Sequence, residues 1–155
     1  MSRRAQIRMT PDEVRAYLDE QRVISVATMS PNGRPHLAPL FYVPHGDGVA
    51  TWTYGKSQKV ANLRRLPQAT VQIESGHAYE ELRGVSFEAD VEIVTDTERV
   101  FEIGSAMSAR YDLTGGATGP EVDGFLRAQA AKRVGLVFTP TKIVSWDHAK
   151  LAGTY

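Results

Sequence analysis

Between Leu82 and Thr95 apolar and polar residues alternate almost without a break: Val85, Phe87, Ala89, Val91 and Ile93 fill one set of positions, Ser86, Glu88, Asp90 and Glu92 the other. Successive strand side chains point to opposite faces, so the segment reads as a long strand with one face on a core and one in water. A parallel sheet, buried on both faces, gives continuous apolar runs instead; the alternation implies an antiparallel sheet. The chain must then supply the partners of this strand from 155 residues, a length suited to a single domain spanning 1–155.

Those partners are short and turn-separated. Val23 to Met29 is rich in β-branched residues and runs into Ser30-Pro31-Asn32-Gly33, whose Asn-Gly pair suits a tight hairpin turn. The second arm, Arg34 to Val43, contains Pro35 and Pro39, which cannot donate ladder hydrogen bonds, so it is irregular or lies at an edge. After the turn Pro44 to Gly48 comes a third strand, Val49 to Tyr54, and the three are expected to form a meander. Ala69 to Glu74, Val134 to Phe138 and Lys142 to Trp146 are further strands. Helices are expected after Thr10, where Thr10-Pro11-Asp12-Glu13 has the form of a capping box and Val14, Tyr17 and Leu18 form an apolar stripe. Others follow from Ser57 to Leu66, from Asp96 to Tyr111 and from Pro120 to Arg133, the last with Val122, Phe125 and Leu126 inward; Leu113 to Gly119 is a glycine-rich loop suited to a lid. The expected architecture is mainly β, a closed or nearly closed antiparallel barrel of six to seven strands with flanking α-helices.

Composition removes several kinds of chemistry. With no cysteine there is no disulfide scaffold, thiolate metal site or catalytic thiol. The four histidines are scattered without metal-ligand spacing, so no metal site is expected. There is no nucleophile elbow, phosphate-binding P-loop or dinucleotide fingerprint, and no catalytic side chain is assigned. Apolar runs are short, so no membrane span or signal-peptide core is expected, and a cytoplasmic protein is the default. Balanced totals of 18 basic and 18 acidic residues argue against nucleic-acid binding by bulk charge.

That balance conceals segregation. Gly48 to Ile73 holds Lys56, Lys59, Arg64 and Arg65 and no acid, whereas Glu74 to Glu102 holds nine acids against Arg83 and Arg99. The basic window contains Thr53 to Arg65, where a strand ends, Gly55 permits close backbone approach and Ser57 opens a helix whose free N–H groups can hold a phosphate. Lys59 in the first turn opposes the helix dipole unless an anion sits nearby. Asn62, three residues on, is placed on the same helical face. On spacing alone, an amphipathic helix with solvated basic residues and a capping serine explains this stretch equally well.

The order of the Thr10 helix, Val23–Thr28, Asn32–His36, Thr53-Tyr54, Ser57-Gln58-Lys59 and Asn62–Arg65, with Ile143–His148 closing the chain, resembles the split-β-barrel flavin and deazaflavin oxidoreductases, relatives of pyridoxamine 5′-phosphate oxidase. The resemblance implies an FMN-binding-like fold and a homodimer with the cofactor in a groove between subunits. It implies Ser57, Gln58, Lys59 and Asn62 at the cofactor phosphate, with Leu63 and Arg64 on the same helix. His36, Pro39 and Leu40 become a wall along the ring, with Thr53 on the neighbouring strand. Trp146 either flanks the ring or closes the barrel or dimer interface, and the loop Gly76 to Tyr79 is a further candidate to reach the groove. Ser57 replaces one member of the basic pair found in the oxidase proper, and Arg64 with Arg65 suits the glutamate tail of the deazaflavin coenzyme F-420. The expected function is hydride transfer between that reduced coenzyme and a small conjugated or unsaturated organic substrate. An FMN-dependent oxidase-like enzyme and a non-catalytic cofactor carrier are the alternatives.

Overall fold

The computed structural model describes residues 1–153; Thr154 and Tyr155, included in the single-domain reading, lie outside the described residues. Seven strands, β1 (Val23–Met29), β2 (Pro35–Phe41), β3 (Val43–His45), β4 (Gly48–Tyr54), β5 (Gln68–Ser75), β6 (Arg83–Val94) and β7 (Arg133–Asp147), form one sheet. Its order is β2-β1-β5-β6-β7-β4-β3, and every neighbouring pair is antiparallel. The sheet curls into a half-barrel with helices α1 (Arg3–Gln6), α2 (Pro11–Glu20), α3 (Gln58–Arg65), α4 (Thr97–Tyr111) and α5 (Pro120–Ala130) around it.

The alternating segment is β6, and it pairs with β5 on one side and β7 on the other. Val85, Phe87, Ala89 and Val91 lie in the barrel interior with Ile24, Val26, Val71, Leu136 and Phe138. The alternation stops at Val94, which is buried on the opposite side with Ala50, Val100, Ala130 and Val137. Here α4 covers the outer surface, so β4 and the first half of β7 are buried on both faces. That is why Val134 to Phe138 reads as an unbroken apolar run although the sheet is antiparallel.

Three expectations are corrected. The meander fails because the second arm divides at Tyr42: β2 pairs with β1 at one end of the sheet, while β3 pairs with β4 at the other. The two last strands are one, β7, which follows β6 from Arg83 opposite Asp147 to Val94 opposite Gly135, with a register shift at Thr141 beside Pro140. Phe125 is 60% exposed rather than inward. The buried stripe of α5 is Leu126 and Ala130, with Val122 half-buried; these positions recur every four residues and leave Phe125 about a quarter-turn away. The helix itself ends at Ala130, releasing Arg133 into β7.

The capping box of α2 is present: the Thr10 amide donates to the Glu13 carboxylate at 2.7 Å, and the Glu13 amide to Thr10 Oγ1 at 3.2 Å. Its Val14, Tyr17 and Leu18 are buried. On α4, Gly104 permits direct contact with β4, since a Cβ there would overlap the six-membered ring of Trp52. Gly104→Ala gains about 1 kcal/mol of helix propensity but overpacks this contact, a change that costs about 1–3 kcal/mol. The expected net result is a lower Tm, by about 2–4 °C per kcal/mol lost, with a shift in tryptophan emission as Trp52 moves; an unchanged Tm and spectrum would contradict the packing.

Candidate functional site

Because β2 and β3 terminate the sheet order, the barrel has a seam. β3 covers β4 only from Gly48 to Ala50, which leaves the edge of Trp52 to Tyr54 without a strand partner on that side. β2, carrying Pro35 and Pro39, presents the facing edge. Across the seam the Thr51 hydroxyl donates to the Phe41 carbonyl at 2.7 Å. A groove of about 430 Å³ follows this line, with Pro39, Leu40 and Phe41 on one wall, Thr51 to Tyr54 on the other, and Met107 and Arg133 at its limits. Pro39, Leu40 and Thr53, expected at the cofactor, therefore share one groove.

The expected phosphate turn adjoins it. Lys59 Nζ donates to Thr53 Oγ1 at 3.1 Å, which ties the first turn of α3 to the groove wall. Burial holds its ammonium below the ordinary lysine range, and no carboxylate is paired with it among the described residues. Ser57 stands at the N-cap position of α3, yet its side chain caps nothing. Its Oγ is buried without a partner, as is Nδ1 of His36 on β2. Two of the four such atoms among the described residues thus fall on expected cofactor residues. Buried polar atoms are normally satisfied, so this pair is available to a polar ligand.

The other expected residues are held by contacts within the chain. Asn62, three residues on from Lys59 along α3, is 1% exposed. Its Nδ2 donates to Thr28 Oγ1 at 3.1 Å and lies 3.4 Å from Ser30 Oγ, while its Oδ1 accepts from Gln58 Nε2 at 2.8 Å. It fastens α3 to β1 and holds Gln58 in place. Leu63 is fully buried in the barrel core, so its side chain supports the helix without facing the groove. Arg64 donates to the Gly55 carbonyl at 3.4 Å and Arg65 to that of Met29. His36 lies opposite Thr28 in the β1–β2 ladder, on the same face as Leu40. Trp146 is far along β7, opposite Gly84, where a Cβ would collide with its indole; within one chain it is not brought to the groove. Tyr79 packs edge-on against His148 at 4.5 Å in that same distant region.

The groove residues outside the expected set are Val23, Phe41, Thr51, Trp52, Met107 and Arg133, with Tyr54 expected only as part of the stretch Thr53 to Arg65. Trp52 and Tyr54 were legible as strand residues but flank Thr53 on the opposite face of β4, and nothing local connects Arg133 to them. A second hollow, of about 360 Å³, lies on the outer surface of β1, β5 and β6, where Glu88 and Asp90 oppose an anionic ligand. A third, of about 640 Å³, is bounded by Arg8, Val14, Asp47 and Ile143 and includes none of the expected residues.

Residues 10–147 match the family described as pyridoxamine 5′-phosphate oxidase. Among solved structures the chain is similar to a conserved hypothetical protein from Mycobacterium tuberculosis, at 35% identity and a TM-score of 0.89, covering 100% of this chain and 95% of that one. It is also similar to an F420 reductase, at 24% identity and a TM-score of 0.63, with 83% and 93% covered. A heme storage protein from Vibrio cholerae shares 18% identity with a TM-score of 0.67, with 90% and 96% covered. The last two likenesses show the fold alone. No curated protein matches the chain.

The Lys59 geometry makes a pH prediction. A lysine whose folded pKa lies below its unfolded value of about 10.4 costs stability while charged, and the cost fades as pH rises toward that value. Without cofactor, Lys59→Met is expected to raise the Tm slightly at pH 7, with the difference shrinking toward pH 10. Thermal melts across that range check it; a lower Tm for the variant at pH 7 would show that the ammonium is not held at a cost.

Proposed function

This chain belongs to the pyridoxamine 5′-phosphate oxidase family of flavin-binding split barrels, and on that premise we propose that it is an oxidoreductase using the deazaflavin coenzyme F-420 to reduce a small conjugated or unsaturated organic substrate. The observation that supports the reading most is the turn from Gly55 to Lys59, where a partly buried lysine without a carboxylate partner, an orphaned serine hydroxyl and the free amides of an uncapped helix come together. This donor set fits a phosphate: two or more N–H groups, a hydroxyl and one ammonium converge at the positive end of a helix dipole.

Lys59 and Ser57 would hold the phosphate, with Thr53 fixing the lysine and Gln58 held by Asn62 beside it. His36, Pro39 and Leu40 would line the ring. Arg64 and Arg65, further along α3 and free of carboxylate partners among the described residues, favour a coenzyme with an acidic tail over FMN. When bound, a reduced deazaflavin supplies a hydride from carbon 5 of its ring. The protein's part is to orient that ring along the apolar seam and to exclude water from it.

The proposal includes a homodimer. The outer face of β1 and β2 exposes Val23, Met29, Leu37 and Phe41, the last two at 69% and 47%. In the ladder Val23 lies opposite Phe41 and Ala27 opposite Leu37, so these side chains form one continuous apolar patch beside the seam. A second copy packed there covers the patch and completes the groove wall. Leu37→Arg is expected to shift the mass in solution, measured by light scattering, from dimer to monomer; a wild-type monomer at tens of micromolar would oppose this part of the proposal.

Titration with F-420 and with FMN, followed by fluorescence, tests the cofactor. Tighter binding of F-420 is expected, and Lys59→Ala should weaken it at least tenfold, the loss typical of one charge-assisted contact. Purified protein that is yellow and releases FMN on denaturation would move the assignment to FMN. Unchanged affinity of Lys59→Ala for both cofactors would refute the phosphate site.

A further inference from the structure

The basic window seen in sequence ends at Ile73, but the fold enlarges it. In the β4–β7 ladder Tyr54 lies opposite Arg133, and the Gly55 amide donates to the Lys132 carbonyl at 3.2 Å. Lys132 and Arg133, nearly eighty positions later in the chain, thereby join the strand end that leads into α3. Arg133 does so on a particular side. Thr51 and Thr53 face the interior and Lys59, whereas Trp52, Tyr54 and Arg133 share the other face of the same strands.

Arg133 is held there by three groups. Its guanidinium carbon lies 4.8 Å from the centre of the Trp52 ring and 4.4 Å from that of Tyr54. Nη1 donates to Gln129 Oε1 at 2.5 Å and to the Gln129 carbonyl at 3.2 Å. Nε and Nη2 make no hydrogen bond, and Arg133 joins no ion pair, among the described residues. The side chain also lines the groove. The molecule has therefore immobilised a guanidinium at the groove's edge while leaving its two-donor side unused, and that side matches a carboxylate in bidentate geometry.

We infer that Arg133 is a substrate-binding residue that anchors a carboxylate of the organic substrate through Nε and Nη2. The inference rests on the cofactor reading above for what occupies the rest of the groove. A carboxylate suits the position better than a phosphate because the free donors are the side-on edge of a single guanidinium, whose two parallel N–H groups match a carboxylate's two oxygens. The groups that suit a phosphate lie across β4. With its charge at Arg133, the apolar body of such a substrate would run along the groove toward Pro39 and Leu40 and lie against the cofactor ring expected there. The class indicated is a conjugated or aromatic monocarboxylic acid.

The test uses the full chain loaded with the coenzyme that binds it, and the probes benzoate, 3-phenylpropionate and trans-cinnamate, each against its amide. At least one acid is expected to bind about tenfold or more tightly than its amide, the discrimination expected of a charge-assisted fork. Arg133→Gln should abolish that preference while leaving cofactor affinity within about twofold, since Arg133 lies on the other face of β4 from Thr53 and Lys59. Gln129→Ala, which keeps the charge and frees the side chain, should lose part of it, and Arg133→Lys should keep part of it. No preference in the wild type, or a preference that survives in Arg133→Gln, overturns the inference. A tenfold loss of coenzyme affinity in Arg133→Gln also overturns it, by assigning the residue to the coenzyme's own acidic tail. If neither F-420 nor FMN binds the wild type, the cofactor reading fails by itself. The acid-against-amide preference of the unloaded chain, read from tryptophan fluorescence, then still decides the role of Arg133.

Discussion

A one-residue link sets the shape of this protein. Phe41 ends the strand at one extreme of the seven-stranded sheet and Val43 begins the strand at the other, with Tyr42 alone between them. A single residue spans under about 4 Å from one Cα to the next, so the two extremes must meet and the sheet must curl. Tyr42 is completely buried. Its hydroxyl donates toward the carbonyls of Leu18 and Gln21, its amide donates to the Tyr111 hydroxyl at 3.0 Å, and the Arg110 guanidinium lies 5.1 Å over its ring. Arg110 itself donates to the Leu18 and Gln21 carbonyls, at 3.1 and 2.6 Å, which ties the end of α2 to the end of α4 at the same point. Burial raises the phenol pKa, so the hydroxyl remains a donor throughout the ordinary pH range.

The groove follows from that link. Strands joined through one buried residue meet at an angle and cannot continue into a ladder, so the closure stays a seam, crossed by Thr51 and Phe41. Backbone groups along a strand edge are left for another molecule, and the apolar walls from β2 and β4 exclude water. The strand-to-helix turn beside the seam supplies positive charge at one end, and Arg133 supplies it on the other face of β4. A ligand with an apolar planar body and an anionic end matches such a surface by shape and charge together.

Much of this was legible in the chain. Alternation located β6 to within a residue, and the capping box located α2, because both are local consequences of side-chain spacing. The seam was not legible, because the split at Tyr42 depends on what lies across the molecule. Nor was the union of the last two expected strands, since Pro140 reads as a terminator when it is tolerated at a bulge. Among the site residues, Ser57, Lys59 and Thr53 were visible because their signals lie within a few positions of one another. Arg133 was not, because its partners Trp52 and Tyr54 come from a distant strand. Asn62 was recognised as important, but its burial against Thr28 and Gln58 makes it a positioning residue.

The features that locate the site are those at which the folded chain falls short of its own best stability. Lys59 is partly buried without a counter-charge at the wrong end of a helix dipole, Ser57 and His36 bury polar atoms without partners, and β2 keeps its outer edge unpaired. Elsewhere many polar groups are satisfied within the chain: the Thr10 cap is reciprocal, and Arg83, Arg99 and Arg127 all meet carboxylates at 2.7 Å. Local rules broken near one another are a feature of functional sites in general. Here the infractions share a sign. Each is relieved by an anion or by a hydrogen-bonding group arriving from outside, so the binding energy of such a ligand is stored in the fold as stability that the chain alone does not have.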